Sequence, residues 1–152
     1  AGDPIPFATN TLTIVTPPGN PKGVASFADL ANPETSVVAC APQVPCGSAT
    51  ERVEQATGVT LHPVSEESAV TDVLGKITSG QADAGLVYVT DARIAGDKVT
   101  EVPFGEASGA VNTYPIAVIN DSTNAATAQR FVDFVTGLEG QKVLAEAGFA
   151  AP

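Results

Sequence analysis

A chain of 152 residues holds one domain or two small lobes, and 43% apolar against 16% charged residues describes a globular α/β protein and excludes disorder. Seven Lys and Arg against seventeen Asp and Glu leave a net charge of −10, which repels nucleic acid and anionic lipid and argues against either as a partner. No apolar run approaches the ~20 residues of a membrane span, no signal peptide is visible, and the chain does not begin with Met, as expected of a processed or excised form.

Ala1–Thr9, with Pro4 and Pro6, reads as an extended lead-in, and Thr11–Thr16 alternates as a strand before the loop Pro17–Gly23. Ser26 caps a short helix, Ser26–Leu30, that Asn32 and Pro33 end. Ser36–Ala41 is a strand whose apolar run Val37–Cys40 suits burial on both faces, and Pro42 and Pro45 forbid its continuation. Ser48 with Glu51 three residues later fits a capping box, so a helix is expected over Ser48–Thr57, closed by Gly58 as a left-handed cap. The amides of Cys46, Gly47 and Ser48 then lie at the positive end of a helix dipole, with Gly47 letting a ligand approach the main chain. That is an anion site in outline, or an ordinary hydrated turn. Cys40 and Cys46 are the only cysteines, and with one His in the chain a zinc site is not supported. In an exported protein they pair as a small disulfide loop; in the cytosol they are a buried thiol and a loop thiol.

Val59–Val64 reads as an edge strand, since Pro63 removes a donor, and His62 as a surface histidine upon it. Ser65–Ser79 is the clearest helix, its stripe made by Ala69, Val70, Val73, Leu74 and Ile77. Ala82–Val89 is a second buried strand, followed by a helical turn at Thr90–Ala92, a short strand Val99–Pro103 and the loop Phe104–Gly109. Asn112–Ile119 is a further strand, at an edge because of Pro115, and the chain ends in helices Ala125–Thr136 and Gln141–Ala147 with a break at Gly137–Gly140. Strands alternating with helices predict a three-layer α/β/α fold on a mainly parallel sheet, with ligands beyond the strand ends.

If Val37–Ala41 and Gly85–Val89 are neighbours, the helix start at Cys46, the helix start near Val70 and the Tyr88 hydroxyl all lie at strand carboxyl ends. Two amides and a phenol bring donors without charge, which suits a tetrahedral oxyanion bound and released intact. The plainer readings are helix core for Val70 and a core aromatic for Tyr88. A phosphoryl-transfer enzyme needs a glycine-rich loop with Lys, Arg and a metal-holding Asp, and none is assembled. A redox enzyme built on Cys40 and Cys46 is disfavoured, with no CxxC spacing and no base beside either thiol, so the chain is not expected to be an enzyme.

The order of pieces resembles the molybdate/tungstate-binding proteins of ABC importers, in the type II periplasmic binding protein group. The resemblance is carried by FATNTLTIVTP at Phe7–Pro17, GNPKG at Gly19–Gly23 with Phe27 to Leu30 after it, VPCG at Val44–Gly47, ADAGLVYVTDA at Ala82–Ala92, YPIAV at Tyr114–Val118, and the stretch Phe131–Phe149 with its EGQ and GF. It implies amide roles for Cys46 and Val70, a hydroxyl role for Tyr88, molybdate or tungstate as ligand, importer membrane subunits as partners, and a place at the periplasmic or extracellular face, anchored through an upstream segment. It also implies a ligand-binding lobe with its lead-in strand over residues 1–111, and a returning strand with C-terminal helices over 112–152 that pack on the other lobe. Members of the group carry a first segment before the stretch matching Phe7, which supplies two further hydroxyl residues. The chain is therefore expected to be a truncated form with an incomplete two-lobe architecture, binding oxyanion weakly and pairing as a homodimer. The alternatives are a sensing or scaffold domain that has lost its ligand, and a sulfate-type binding protein.

Overall fold

The computed structural model describes residues 2–152; Ala1, the start of the expected lead-in, lies outside them. In chain order the strands are β1 (Ile5–Asn10), β2 (Leu12–Thr16), β3 (Val37–Cys40), β4 (Ser65–Glu67), β5 (Ala84–Tyr88), β6 (Thr100–Val102) and β7 (Asn112–Ile116). The helices are α1 (Pro45–Thr57), α2 (Val70–Thr78), α3 (Val89–Ala95), α4 (Ala125–Thr136) and α5 (Leu138–Ala147). Two compact units result, Thr11–Val111 and residues 2–10 with Asn112–Pro152.

The larger unit is built on a five-stranded sheet of order β4-β3-β5-β2-β6. β3 runs parallel to both β4 and β5, while β2 runs antiparallel to β5 and β6. The sheet is thus mainly parallel, with one reversed strand. β3 and β5 are buried along their whole length, as their uninterrupted apolar runs require when helices cover both faces. The chain steps from β3 outward to β4 and then back across β3 to β5, so right-handed crossovers put α1 and α2 on opposite faces. α2 packs closely on β5, where a Cβ on Gly85 would stand 2.9 Å from Val73 Cγ1. α3 contacts α2 and shares its side. Phe27, fully buried in the 3-10 turn capped by Ser26, stacks on Phe104 with ring centroids 5.5 Å apart.

In the smaller unit β1 pairs antiparallel with β7, with a register shift between Pro6 and Ala8. Pro115 lies in this two-stranded ribbon, where a residue without an N–H costs no interior ladder bond. Phe7, Tyr114 and Phe149 form a chain of edge-to-face rings, at 6.3 and 5.6 Å, and the Gln141 side chain donates to the carbonyls of Phe7 (2.8 Å) and Val135 (3.0 Å).

Four expectations are corrected. Helix α1 begins at Pro45, three residues before the expected Ser48, because a proline at the first helical position has its φ already set and loses no bond; Ser48 N–H donates to Val44 O at 2.9 Å and caps nothing. Val59–Val64 is not a strand. The ladder beside β3 starts only beyond Pro63, with Val64 N–H donating to Val37 O and then Ser65–Glu67 paired with Val38–Cys40. The helix expected from Ser65 therefore starts at Val70: Ser65–Glu67 offers no apolar side chain to a buried stripe, and its backbone completes the sheet edge instead. The break between the last two helices is Gly137 alone, and Gly140 lies within α5 because the Phe134 carbonyl stands where its Cβ would be, at 2.3 Å.

The Thr13 hydroxyl is buried in the sheet with no hydrogen-bond partner among the described residues. Thr13→Val removes that desolvated group while keeping the shape, and stability is expected to rise by about 1 kcal/mol. In a thermal melt this is a Tm increase of roughly 2–4 °C; an unchanged or lower Tm contradicts it.

Candidate functional site

The carboxyl ends of β3, β4 and β5 lie side by side. Cys40 pairs with Glu67, and the register that sets Val38 opposite Gly85 brings Cys40 level with Val87. α1, α2 and α3 all start from this edge, and α1 and α3 leave adjacent strands toward opposite faces. That is the switch point at which open α/β sheets take ligands. Of the residues predicted from sequence, Cys46 and Val70 follow the ends of β3 and β4 and Tyr88 is the last residue of β5; the three strand ends span roughly 10 Å at sheet spacing.

The β3–α1 turn is short and tightly tied. Ala41 N–H donates to Glu67 O (2.8 Å) and Val44 N–H to Ala41 O (3.1 Å). Val44 caps α1 without a side-chain bond and Pro45 has no N–H, so the first open donors of the helix are the amides of Cys46 and Gly47, which have no acceptor among the described residues. Cys40 and Cys46 form a disulfide across this turn, their Cα atoms 5.6 Å apart and both residues 4% exposed. Among the described residues no cysteine is free.

Gly47 has a different reason from the one expected. A Cβ there would stand 1.9 Å from Ala41 O and 2.8 Å from Cys40 O, so the space a ligand was expected to use is filled by the chain's own turn. The glycine lets α1 start directly against the end of β3.

At the start of α2 the N-cap Ala69 also makes no side-chain bond, and its carbonyl accepts from Asp72 N–H (3.1 Å) and Val73 N–H (3.5 Å). The amides of Val70 and Thr71, ahead of those, have no acceptor among the described residues. Val70 is half-buried. Tyr88 is the last residue of β5, 8% exposed, and its N–H donates to Asp91 Oδ2 at 3.0 Å. Burial holds the Asp91 carboxyl above the usual carboxylate range, and the Tyr88 amide works against that shift. Asp91 was not singled out from sequence, although an acidic residue three positions after the strand end is the pattern of a reciprocal cap. Glu67, at the same sheet end, is tied to Lys76 Nζ and then to Ser65 Oγ, which hold its carboxyl below the usual range.

Two cavities of this unit carry carboxylates that disfavour an anion. A cavity of about 230 Å³ beside Cys40 and Gly47 is lined by Glu51, Glu54 and Glu66. Another of about 380 Å³ is bordered by Ser36, His62 and Asp83. His62 is exposed, and no group of three or more potential metal ligands is found among the described residues.

The family described as bacterial extracellular solute-binding protein matches residues 1–150. The chain is 57% identical over all 152 of its residues to the molybdate-binding protein ModA of Mycobacterium tuberculosis, and spans 58% of that relative's own length. The substrate binding domain of a putative molybdenum ABC transporter from Clostridium difficile superposes with a TM-score of 0.76 at 25% identity, over 98% of this chain and 66% of that one. The periplasmic molybdate-binding protein of Azotobacter vinelandii shares the fold, with a TM-score of 0.78 at 20% identity over 99% of this chain and 69% of that one.

The contact at Gly47 is between rigid backbone groups, so Gly47→Ala is expected to destabilise the chain by roughly 3 kcal/mol. Gly75, inside α2 with open space where its Cβ would be, serves as the control: Gly75→Ala leaves stability equal or raises it by up to about 1 kcal/mol. Chemical denaturation of both variants checks this, and equal midpoints for the two contradict it.

Proposed function

The chain belongs to the bacterial extracellular solute-binding proteins, and on that premise we propose that it captures molybdate or tungstate outside the cytoplasmic membrane for delivery to the membrane subunits of an ABC importer. The observation that carries the ligand class is the match, along every residue, to a mycobacterial protein named for molybdate binding. No helix of the described residues is long and apolar enough to cross a membrane, and attachment to the outer face through an upstream anchor belongs to the same proposal.

In this reading the amides of Cys46 and Val70 and the hydroxyl of Tyr88 donate to the oxygens of one tetrahedral dianion. Three features support it: two helices of nine residues or more open at the same sheet end, their leading amides lack acceptors among the described residues, and Tyr88 ends the strand between them and β2. Donors without charge suit transport. They hold a dianion through charge-assisted hydrogen bonds and helix dipoles, with no proton transfer to reverse on release. The net charge of −10 repels an anion at long range, so capture depends on these short-range dipoles. The smaller unit exposes Phe131, Phe134, Leu138 and Val143, and has a cavity of about 310 Å³ bordered by Phe7, Ile116 and Leu144, which supports a second copy of the chain as partner on that apolar surface.

Thermal shift with molybdate, tungstate, sulfate and phosphate tests the ligand. At a hundredfold excess over its dissociation constant, molybdate or tungstate stabilises by about 2.7 kcal/mol. Tyr88→Phe reduces the binding free energy by about 1.5–3 kcal/mol. Shifts with none of the four anions, or with sulfate alone, contradict the reading. For the partner, sedimentation equilibrium is expected to show a dimer that Phe131→Glu with Phe134→Glu converts to monomer; a monomer at every concentration removes the pairing.

A further inference from the structure

The disulfide occupies an unusual position for a mere staple. Cys40 is the last residue of β3, locked in register against Glu67 of β4, and Cys46 is the second residue of α1 and carries one of the open amides. The bridge therefore joins the rigid sheet directly to a residue whose N–H has no acceptor among the described residues. Between them Ala41 is tied to Glu67 O and Val44 to Ala41 O, but Pro42, Gln43 and Pro45 are exposed and no side chain caps the helix, so beyond those two bonds nothing else in the turn fixes Cys46 among the described residues. Two fixings set where the helix begins, the covalent bridge and the Gly47 contact, and the bridge is the one that acts on Cys46 itself.

Amide donors select an oxyanion only if their positions are set before it arrives, because ordering a turn on binding subtracts from affinity. Resting on the oxyanion reading above, we propose that the Cys40–Cys46 disulfide positions the α1 donors, so that oxyanion affinity depends on the oxidation state of this pair. Reduction by a dithiol breaks the S–S bond: the dithiol supplies two electrons and two protons, Cys40 and Cys46 become thiols, and the reductant is left as its own disulfide. The freed turn then reaches its binding geometry only part of the time, and apparent affinity falls by that fraction. By reciprocity, a bound oxyanion must make the disulfide harder to reduce by the same factor.

The test uses the full chain and sodium molybdate. Calorimetry on the oxidised chain, on the chain reduced with dithiothreitol and on Cys40→Ala/Cys46→Ala is expected to show binding weakened about tenfold or more in the last two, with far-UV circular dichroism and a cooperative melt retained. An equilibrium titration against dithiothreitol, with and without saturating molybdate, is expected to move at least tenfold toward the disulfide, about 30 mV for this two-electron couple. It decides the matter should the double variant not fold. Equal affinity within twofold for the folded oxidised and reduced chains, a redox midpoint indifferent to molybdate, or weakening seen only together with loss of the circular dichroism signal overturns the positioning role. Absence of molybdate binding by the oxidised chain overturns the functional reading and this inference with it.

Discussion

One steric constraint organises the larger unit: the carbonyl oxygens of Cys40 and Ala41 occupy the space where residue 47 would carry a side chain. α1 is thereby pressed against the end of β3, with only a four-residue turn between strand and first helical residue. The closeness brings the helix's leading amides to the sheet edge rather than out into solvent. The same edge is reached by α2 and Tyr88 because β4 and β5 run parallel to β3, so every strand end in this group is followed by a helix start. Parallel pairing and a glycine with no room for a substituent put these helix starts at one end of the sheet.

Electrostatics then decide what such a place can hold. The chain carries ten more negative than positive side-chain charges; near the sheet end Glu67 is held by Lys76 and Ser65, while Glu51, Glu54 and Glu66 line the cavity beside Cys40 and Gly47. Asp91, which burial pushes toward protonation, receives the Tyr88 amide at 3.0 Å. The groups without an acceptor at the helix starts, among the described residues, are N–H dipoles. In a partly buried setting a dipole is screened far less than the surface charge, so local attraction at the helix starts can exceed diffuse repulsion from the whole protein. On these terms the proposed uptake of an anion is consistent with an acidic protein.

Much of this was legible in the residues. The buried runs Val37–Cys40 and Ala84–Tyr88 announce covered strands, and their order among helices announces a mainly parallel sheet; Gly58, at φ 72°, caps α1 as its type suggests. Three things were hidden for physical reasons. Pro45 serves equally well as strand breaker and helix starter, so Ser48 and Glu51 looked like the cap although neither performs it. Ser65–Glu67 has no β-branched or aromatic residue, and it is a strand only because β3 offers it a ladder, a tertiary effect invisible to local propensity. Gly47 showed that a side chain was unwelcome without showing what filled the space. The strand ends were readable, and the Cys40–Cys46 bridge was one of two open readings that the fold decides, whereas the Asp91 contact depended on which atoms the fold brings within reach.

The central claim is that uncharged donors at these helix starts receive one dianion, and amide NMR reads it most directly. In a titration of the oxidised, 15N-labelled chain with molybdate, the resonances of Cys46 and Val70 should shift together along one saturable curve with a common dissociation constant. Shifts that saturate elsewhere in the chain while those two amides stay still would contradict it.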